Sequence, residues 1–216
     1  MLQPNCPMMS GIMKRSIGLF ALLIMGCEFD RTLSQVPQPS QTVQSAPVDR
    51  SIWSQLRQVE TFTVILMRHA QAPGTGDPRN FRLHDCSTQR NLSQDGRRQA
   101  KQIGQVFRQR QIPVARVLSS QWCRCLDTAR LLELGKVEPL PALNSFFRDR
   151  STETRQTEEL RQFIMQNKSD RQVVVMVTHQ VNITAITGTI PDQGDAVVVQ
   201  LDGQNQFKTI GMLNPN

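Results

Sequence analysis

The sequence predicts a three-layer α/β/α sandwich around a mostly parallel sheet, and three observations carry that prediction. Residues 61–67 and 173–177 are short runs of β-branched and apolar side chains; the second is unbroken, the pattern of a strand covered on both faces. Helical patterns alternate with such runs along the chain, as a sheet with crossover helices requires. Three predicted strands run directly into chemically capable residues: Arg68-His69, Ser119-Ser120 and Thr178-His179. Open α/β sheets bind ligands at the carboxyl ends of their strands, so these residues mark a candidate site.

Each element follows from its local chemistry. After the strand at 61–67, residues 71–91 form a long loop with Gly74, Gly76 and Pro78, and long loops in compact domains are usually functional or mobile. Ser93 is the natural N-cap of a helix over 94–110, with Asp95 in its first turn and Ala100, Ile103, Gly104, Val106 and Phe107 on its buried face. Pro113 stops it. A short strand at 115–118 precedes a helix at 122–134, in which Leu126, Ala129, Leu131 and Leu132 are available for burial and which Gly135 ends. Residues 137–140, broken by Pro139 and Pro141, suit a sheet edge. A helix over 152–167 buries Leu160, Phe163, Ile164 and Met165; the strand at 173–177 and a short helix at 179–188 follow. The chain closes with an antiparallel pair, 196–201 and 207–212, around Asp202-Gly203.

The first sixty residues read differently from the rest. Lys14-Arg15 precedes an apolar run ending at Gly26-Cys27, which is too short for a comfortable permanent span and reads as an export signal over 1–27. The segment resembles a bacterial lipoprotein signal, which implies a lipid on Cys27, attachment to a membrane, and a location on the periplasmic side of the inner membrane. Met13 makes a more ordinary signal start than Met1. Residues 28–60, rich in Gln, Ser, Pro and Thr, read as a flexible linker, with a short helix near 52–59 that docks on the domain. The folded domain is expected over 61–216, enough chain for one core.

The formal charge is +7, of which Lys14 and Arg15 contribute two, and no run of five or six like charges occurs. A nucleic-acid partner is therefore not expected. The strand-end cluster of Arg68, Arg124, His69 and His179 suits a phosphoryl group. Phosphoryl transfer needs a nucleophile, cations on the equatorial oxygens and an acid for the departing oxygen. His69 serves as nucleophile only as neutral imidazole, with one nitrogen held by a backbone carbonyl. Arg68 and Arg124 offer planar forks that lysine cannot reproduce, and His179 adds one donor and some positive charge. Gly74 and Gly76 form no dinucleotide fingerprint. Neither a metal nor an organic cofactor is expected, because Cys123-Arg124-Cys125 is not a metal spacing.

Four pieces occur in order: Arg68-His69-Ala70 after a strand, Asn91-Leu92-Ser93-Gln94-Asp95-Gly96 through Ala100, Ser119-Ser120 with Arg124 and Asp127-Thr128-Ala129, and Val177-Thr178-His179. Together they resemble the histidine phosphatase superfamily, with its phosphoglycerate-mutase-like fold. The resemblance covers nearly all of the folded part. It implies a phosphohistidine at His69, a phosphate pocket from Arg68, Arg124 and His179, and a small phosphorylated substrate. Ala70 stands where the family usually has glycine. Neither usual proton donor is present: Ser145 stands where one branch carries glutamate, and Gln180 where another carries aspartate. Candidate donors are therefore sought in the long loop. Asp85 is preferred because Cys86 beside it can pin that part of the loop; Asp77 is the alternative, His84 a third, and Glu153 a fourth if its helix leans over the pocket.

In an oxidising compartment Cys86 is expected to bridge to Cys123 or Cys125. Trp122 is read as helix packing, Phe146-Phe147 as core or pocket wall, and Arg90 as either pocket rim or surface. Three functions follow. The first is a metal-independent phosphomonoesterase of the cell envelope, acting through phospho-His69, with lipid-A or sugar phosphates as substrates suggested by location alone. The second is a non-catalytic phosphate- or phosphosugar-binding lipoprotein on the same fold. The third is an exported phosphotransferase.

Overall fold

The computed structural model describes residues 48–216 apart from Asp170, Gly203 and Asn216. The expected signal, Met13, Cys27 and the linker to residue 47 lie outside the described residues. Among the described residues no helix is long and apolar enough to cross a membrane.

Six strands form one sheet: β1 (Thr63–Arg68), β2 (Val114–Ser119), β3 (Val137–Pro139), β4 (Val173–Thr178), β5 (Ala196–Leu201) and β6 (Phe207–Leu213). Their order is β3-β2-β4-β1-β5-β6. The first four in that order run parallel, and β5 and β6 join antiparallel. This is the mostly parallel sheet that the sequence predicts, closed by the expected antiparallel pair. All six residues of β4 are buried, because strands flank it on both edges and helices cover both faces.

The helices are α1 (Val48–Arg57), α2 (Gln94–Gln109), α3 (Cys123–Leu132), α4 (Glu153–Gln166) and α5 (Gln180–Thr187). Alternation along β1 sorts the core into two layers. Ile65 and Met67 pack with Trp53 and Leu56 of α1, Ile103 and Phe107 of α2, and Ala129 and Leu132 of α3. Val64 and Leu66 pack on the other face with Leu160 and Ile164 of α4 and Ile183 and Ile186 of α5. Each fully buried aliphatic side chain of this kind contributes roughly 1.5–3 kcal/mol. The α/β/α sandwich is thus built on the period-two pattern of the strands and the apolar stripes of the helices.

Three boundaries differ from the sequence expectation. The docked helix near 52–59 begins at Val48, and Ile52, Trp53 and Leu56 are core residues, so the folded part starts before Thr61. Trp53 meets Phe107 edge-on at 5.2 Å, which fixes α1 against α2. The helix expected to run to Leu134 stops at Leu132, with Glu133 rather than Gly135 in the left-handed cap position (φ 52°). Short 3₁₀ turns at Cys86–Thr88, Pro141–Leu143 and Arg150–Thr152 occupy stretches expected to be loop or helix start. Ser93 caps α2 as expected, its hydroxyl accepting the Gly96 N–H at 2.9 Å.

Gly104 sits where α2 crosses α3, and a Cβ there would lie 2.0 Å from the Leu132 carbonyl oxygen. Gly104→Ala must push the two helices apart. Overpacking of this kind costs about 1–3 kcal/mol or more. A urea unfolding midpoint unchanged by the substitution would contradict this contact.

Candidate active site

The register of the parallel strands brings their ends together. Arg68 pairs with Thr178 across β1 and β4, and Ser119 pairs with Val177 across β2 and β4. The His69 N–H donates to the Thr178 carbonyl at 3.0 Å, and the Ser120 N–H donates to that of Val177 at 2.9 Å. A cleft opens at this edge, lined by Arg68, His69, Arg90, Trp122, Arg124 and His179, with residues 74–77, Ser145, Phe147 and Arg148 around them. All four residues predicted to bind the phosphoryl group are therefore in one place.

His69 is 2 % exposed. Its Nδ1 lies 2.8 Å from the Ala70 carbonyl oxygen, which can only accept, so Nδ1 carries the proton and Nε2 keeps its lone pair. Burial, reinforced by the charges of Arg124, Arg90 and Arg68, pushes its pKa down to about 3. The ring is neutral at any ordinary pH, as a nitrogen nucleophile must be. Ala70 is itself held by a hydrogen bond from its N–H to Thr128 Oγ1 at 3.0 Å. That hydroxyl donates to the Arg124 carbonyl at 2.7 Å, so the motif residues Thr128 and Arg124 brace the His69-Ala70 backbone.

Arg124 and Asp77 form a bidentate ion pair, Nη1 to Oδ1 at 2.7 Å and Nη2 to Oδ2 at 3.2 Å, with side chains 3 % and 6 % exposed. Burial pushes the Asp77 pKa up, but Arg124, the Arg90 amide and the Trp122 indole outweigh it and hold the carboxyl below its ordinary value. His179 departs from its expected role. Its Nδ1 lies 3.3 Å from Arg124 Nη2, which can only donate, so the free proton sits on Nε2, 2.9 Å from Ser120 Oγ. Burial, then the charge of Arg124, lowers its pKa well below the ordinary histidine value. The neutral ring therefore accepts from Arg124 instead of supplying positive charge.

The favoured proton donor is corrected. Asp85 caps the 3₁₀ turn Cys86–Thr88, accepting from the Ser87 N–H at 3.1 Å and Ser87 Oγ at 2.6 Å, and it does not line the cleft. A short acidic side chain ahead of a turn was bound to be claimed by that turn's free N–H groups. His84 is exposed and lines a separate hollow beside Cys86 and Cys123. Glu153 pairs with Arg150 at 3.1 Å on α4, outside the cleft. Asp77, the alternative, is the one carboxylate among the cleft-lining residues.

Cys86 is bonded to Cys123, and Cys125 is a buried free thiol, which resolves the two pairings left open by the sequence. Gln89, buried beside the bridge, donates to the Arg82 and Leu83 carbonyls and accepts the Cys123 N–H at 2.9 Å. The long loop is thereby clamped onto the start of α3, where Arg124 lies. Trp122 packs against the core as expected and also lines the cleft: its Nε1 donates to Asp77 Oδ2 at 3.1 Å, and its ring stacks on Phe81 at 5.0 Å. Arg90 lines the cleft, tied by its guanidinium to the Gly76 and Ala72 carbonyls. Arg148 was not singled out in the sequence; it follows Phe147 on the rim, and nothing in its neighbours distinguishes it from a surface arginine. Among the described residues no group of three or more His, Cys, Asp or Glu is placed to hold a metal.

Two outcomes are expected. The unfolded chain protonates His69 near pH 6.5, whereas the folded chain resists protonation to about pH 3. Its contribution to stability is thus complete above about 6.5 and is lost as the pH falls from there toward 3. In His69→Gln, the slope of unfolding free energy against pH over that window should be shallower by up to about one proton; an unchanged slope refutes the buried neutral ring. Replacing Cys86 and Cys123 by serine should lower stability by about 2–4 kcal/mol in urea titration, since the bridge closes a loop with a separation of 37 residues.

Residues 64–161 match the family model of the histidine phosphatase superfamily (branch 1). No curated protein matches the sequence. Among solved structures, the protein histidine phosphatase SixA complexed with tungstate is similar at 16% identity and TM-score 0.50, over 71% of this chain and 97% of that one. The phosphoserine phosphatase of Entamoeba histolytica, in complex with 3-phosphoglyceric acid, is similar at 13% identity and TM-score 0.51, over 70% and 96%. A mycobacterial glucosyl-3-phosphoglycerate phosphatase with VO3 is similar at 16% identity and TM-score 0.51, over 68% and 96%. These likenesses concern the fold, and the family match covers β1 to α4, including His69 and Arg124. From Val64 in β1 to Arg161 in α4, the chain matches the histidine phosphatase superfamily, branch 1.

Proposed function

We propose that this phosphatase hydrolyses small phosphomonoesters through a covalent phosphate on His69, with no metal taking part, in the cell envelope. The observation that carries the proposal is the fixed tautomer of His69: a neutral ring with Nδ1–H spent on the Ala70 carbonyl, set among arginines. In the first step Nε2 attacks phosphorus while the ester oxygen leaves with a proton. Arg68, Arg90 and Arg124 supply the positive charge that the equatorial oxygens need. Asp77 is the proton donor, being the cleft's one carboxylate, and in the second step it takes a proton from the water that cleaves the N–P bond.

The Cys86–Cys123 bridge supports an oxidising location outside the cytoplasm, consistent with export by the N-terminal segment and attachment through Cys27. The alternative, a phosphate- or phosphosugar-binding lipoprotein, is favoured by one observation: Asp77 is fully engaged by Arg124.

Turnover of p-nitrophenyl phosphate separates the two. The enzyme should turn it over and yield an acid-labile phosphoprotein on rapid quench. His69→Ala should abolish both signals, and Arg124→Ala should lower turnover by about a hundred- to a thousandfold. Binding of phosphate without turnover, or turnover that survives His69→Ala, would reject the enzyme as described.

A further inference from the structure

We propose that the Asp77 carboxylate occupies the seat of the substrate's phosphoryl group, and that substrate reaches the Arg124 fork only by displacing it. The inference rests on the phosphohistidine reading for its chemistry, but its geometry stands separately. Arg124 has five N–H donors. Two point at Asp77, a third is 3.3 Å from the Arg90 carbonyl, and a fourth is 3.3 Å from His179 Nδ1. Only Nε has no protein partner. In this arrangement Arg124 has no fork left for a phosphate.

The donors that converge on Asp77 are those an oxyanion would use. Besides Arg124, its Oδ1 accepts the Arg90 backbone N–H at 3.2 Å and its Oδ2 the Trp122 indole N–H at 3.1 Å. Charged and oriented N–H groups around one anion are the recognition pattern for phosphoryl oxygens. The carboxylate thus stands in for part of the substrate. Arg68 Nε, on the same cleft, is also buried without a protein partner.

The segment that carries Asp77 can release it. Gly74 and Gly76 just before it hold φ of +85° and +70°, conformations open to glycine, and residues 73–75 and 78–80 are exposed. Beyond them the disulfide fixes the loop to α3, so a displaced Asp77 stays within reach of the cleft. Exchange also prepares the acid. Once a phosphoryl dianion holds Arg124, the freed carboxylate faces negative charge and takes up a proton from solvent. His69 Nε2 then bonds to phosphorus, the P–O ester bond breaks, and the proton on Asp77 passes to the departing oxygen.

The test is the affinity of inorganic phosphate for the full chain and for Asp77→Asn, measured by calorimetry. A wild-type site open a tenth of the time would bind phosphate about tenfold more weakly than one without the internal competitor. Asp77→Asn should therefore tighten phosphate binding about tenfold. Weaker or unchanged binding would overturn the proposal, because Asp77 would then orient Arg124 or lie clear of the ligand. The wild-type chain offers a second measurement that needs no variant. Its two tryptophans are Trp53, on α1 and buried against α2, and Trp122, so the indole N–H resonance of Trp122 should move at saturating phosphate while that of Trp53 stays. A Trp122 resonance that does not move also overturns it. Neither readout requires turnover, so absence of p-nitrophenyl phosphate hydrolysis would sink the phosphohistidine reading without touching this one.

Discussion

The register of β4 between β1 and β2 is the constraint on which the cleft depends. Parallel ladders set Arg68 beside Thr178 and Ser119 beside Val177, and each strand then releases its next residue at the same edge. A slip of one residue in either ladder would turn His69 or His179 to the opposite side and exchange the two apolar layers. The register is held from both faces, because Ile65 and Met67 are committed to one layer and Val64 and Leu66 to the other. Packing far from the cleft is therefore what aligns its chemistry.

Burial does the remaining electrostatic work, and it acts on unlike groups in opposite senses. It discharges His69 and His179, whose protonated forms would face Arg124 at close quarters. It strengthens the pairing of Arg124 with Asp77, since opposite charges removed from water attract more strongly than the same charges at the surface. Neutral imidazoles and a compensated guanidinium are thus consequences of one low-dielectric wall.

The fold was largely legible in the sequence because it is written in local patterns. The unbroken run at 173–177 and the capped, striped helix from Gln94 needed no tertiary information; the ends of β1 and β4 named Arg68, His69 and His179 directly, and Arg124 lies in the first turn of the helix that follows β2. Which aspartate reaches the cleft was not legible in the same way. Asp77 and Asp85 are two aspartates of one loop, and what separates them is which N–H groups each finds: Ser87 for Asp85, and Arg124, Arg90 and Trp122 for Asp77. Those partners lie up to 47 residues away, where spacing carries no signal. The protonation pattern of His179 was hidden for the same reason, since it is set by the neighbouring Arg124 side chain.

Cys125 gives the clamp on the loop a temporal property. It sits two residues from Cys123, buried, with its sulfur 3.6 Å from the Thr178 carbonyl and 3.5 Å from His179 Nε2. Disulfides reshuffle only through attack by a thiolate. Burial pushes the Cys125 thiol up to about 12, so almost none of it is ionised near neutrality. A third cysteine within the domain would ordinarily invite scrambling during maturation. Here the fold keeps that thiol protonated, so the Cys86–Cys123 bridge, once in place, has no thiolate beside it to undo it.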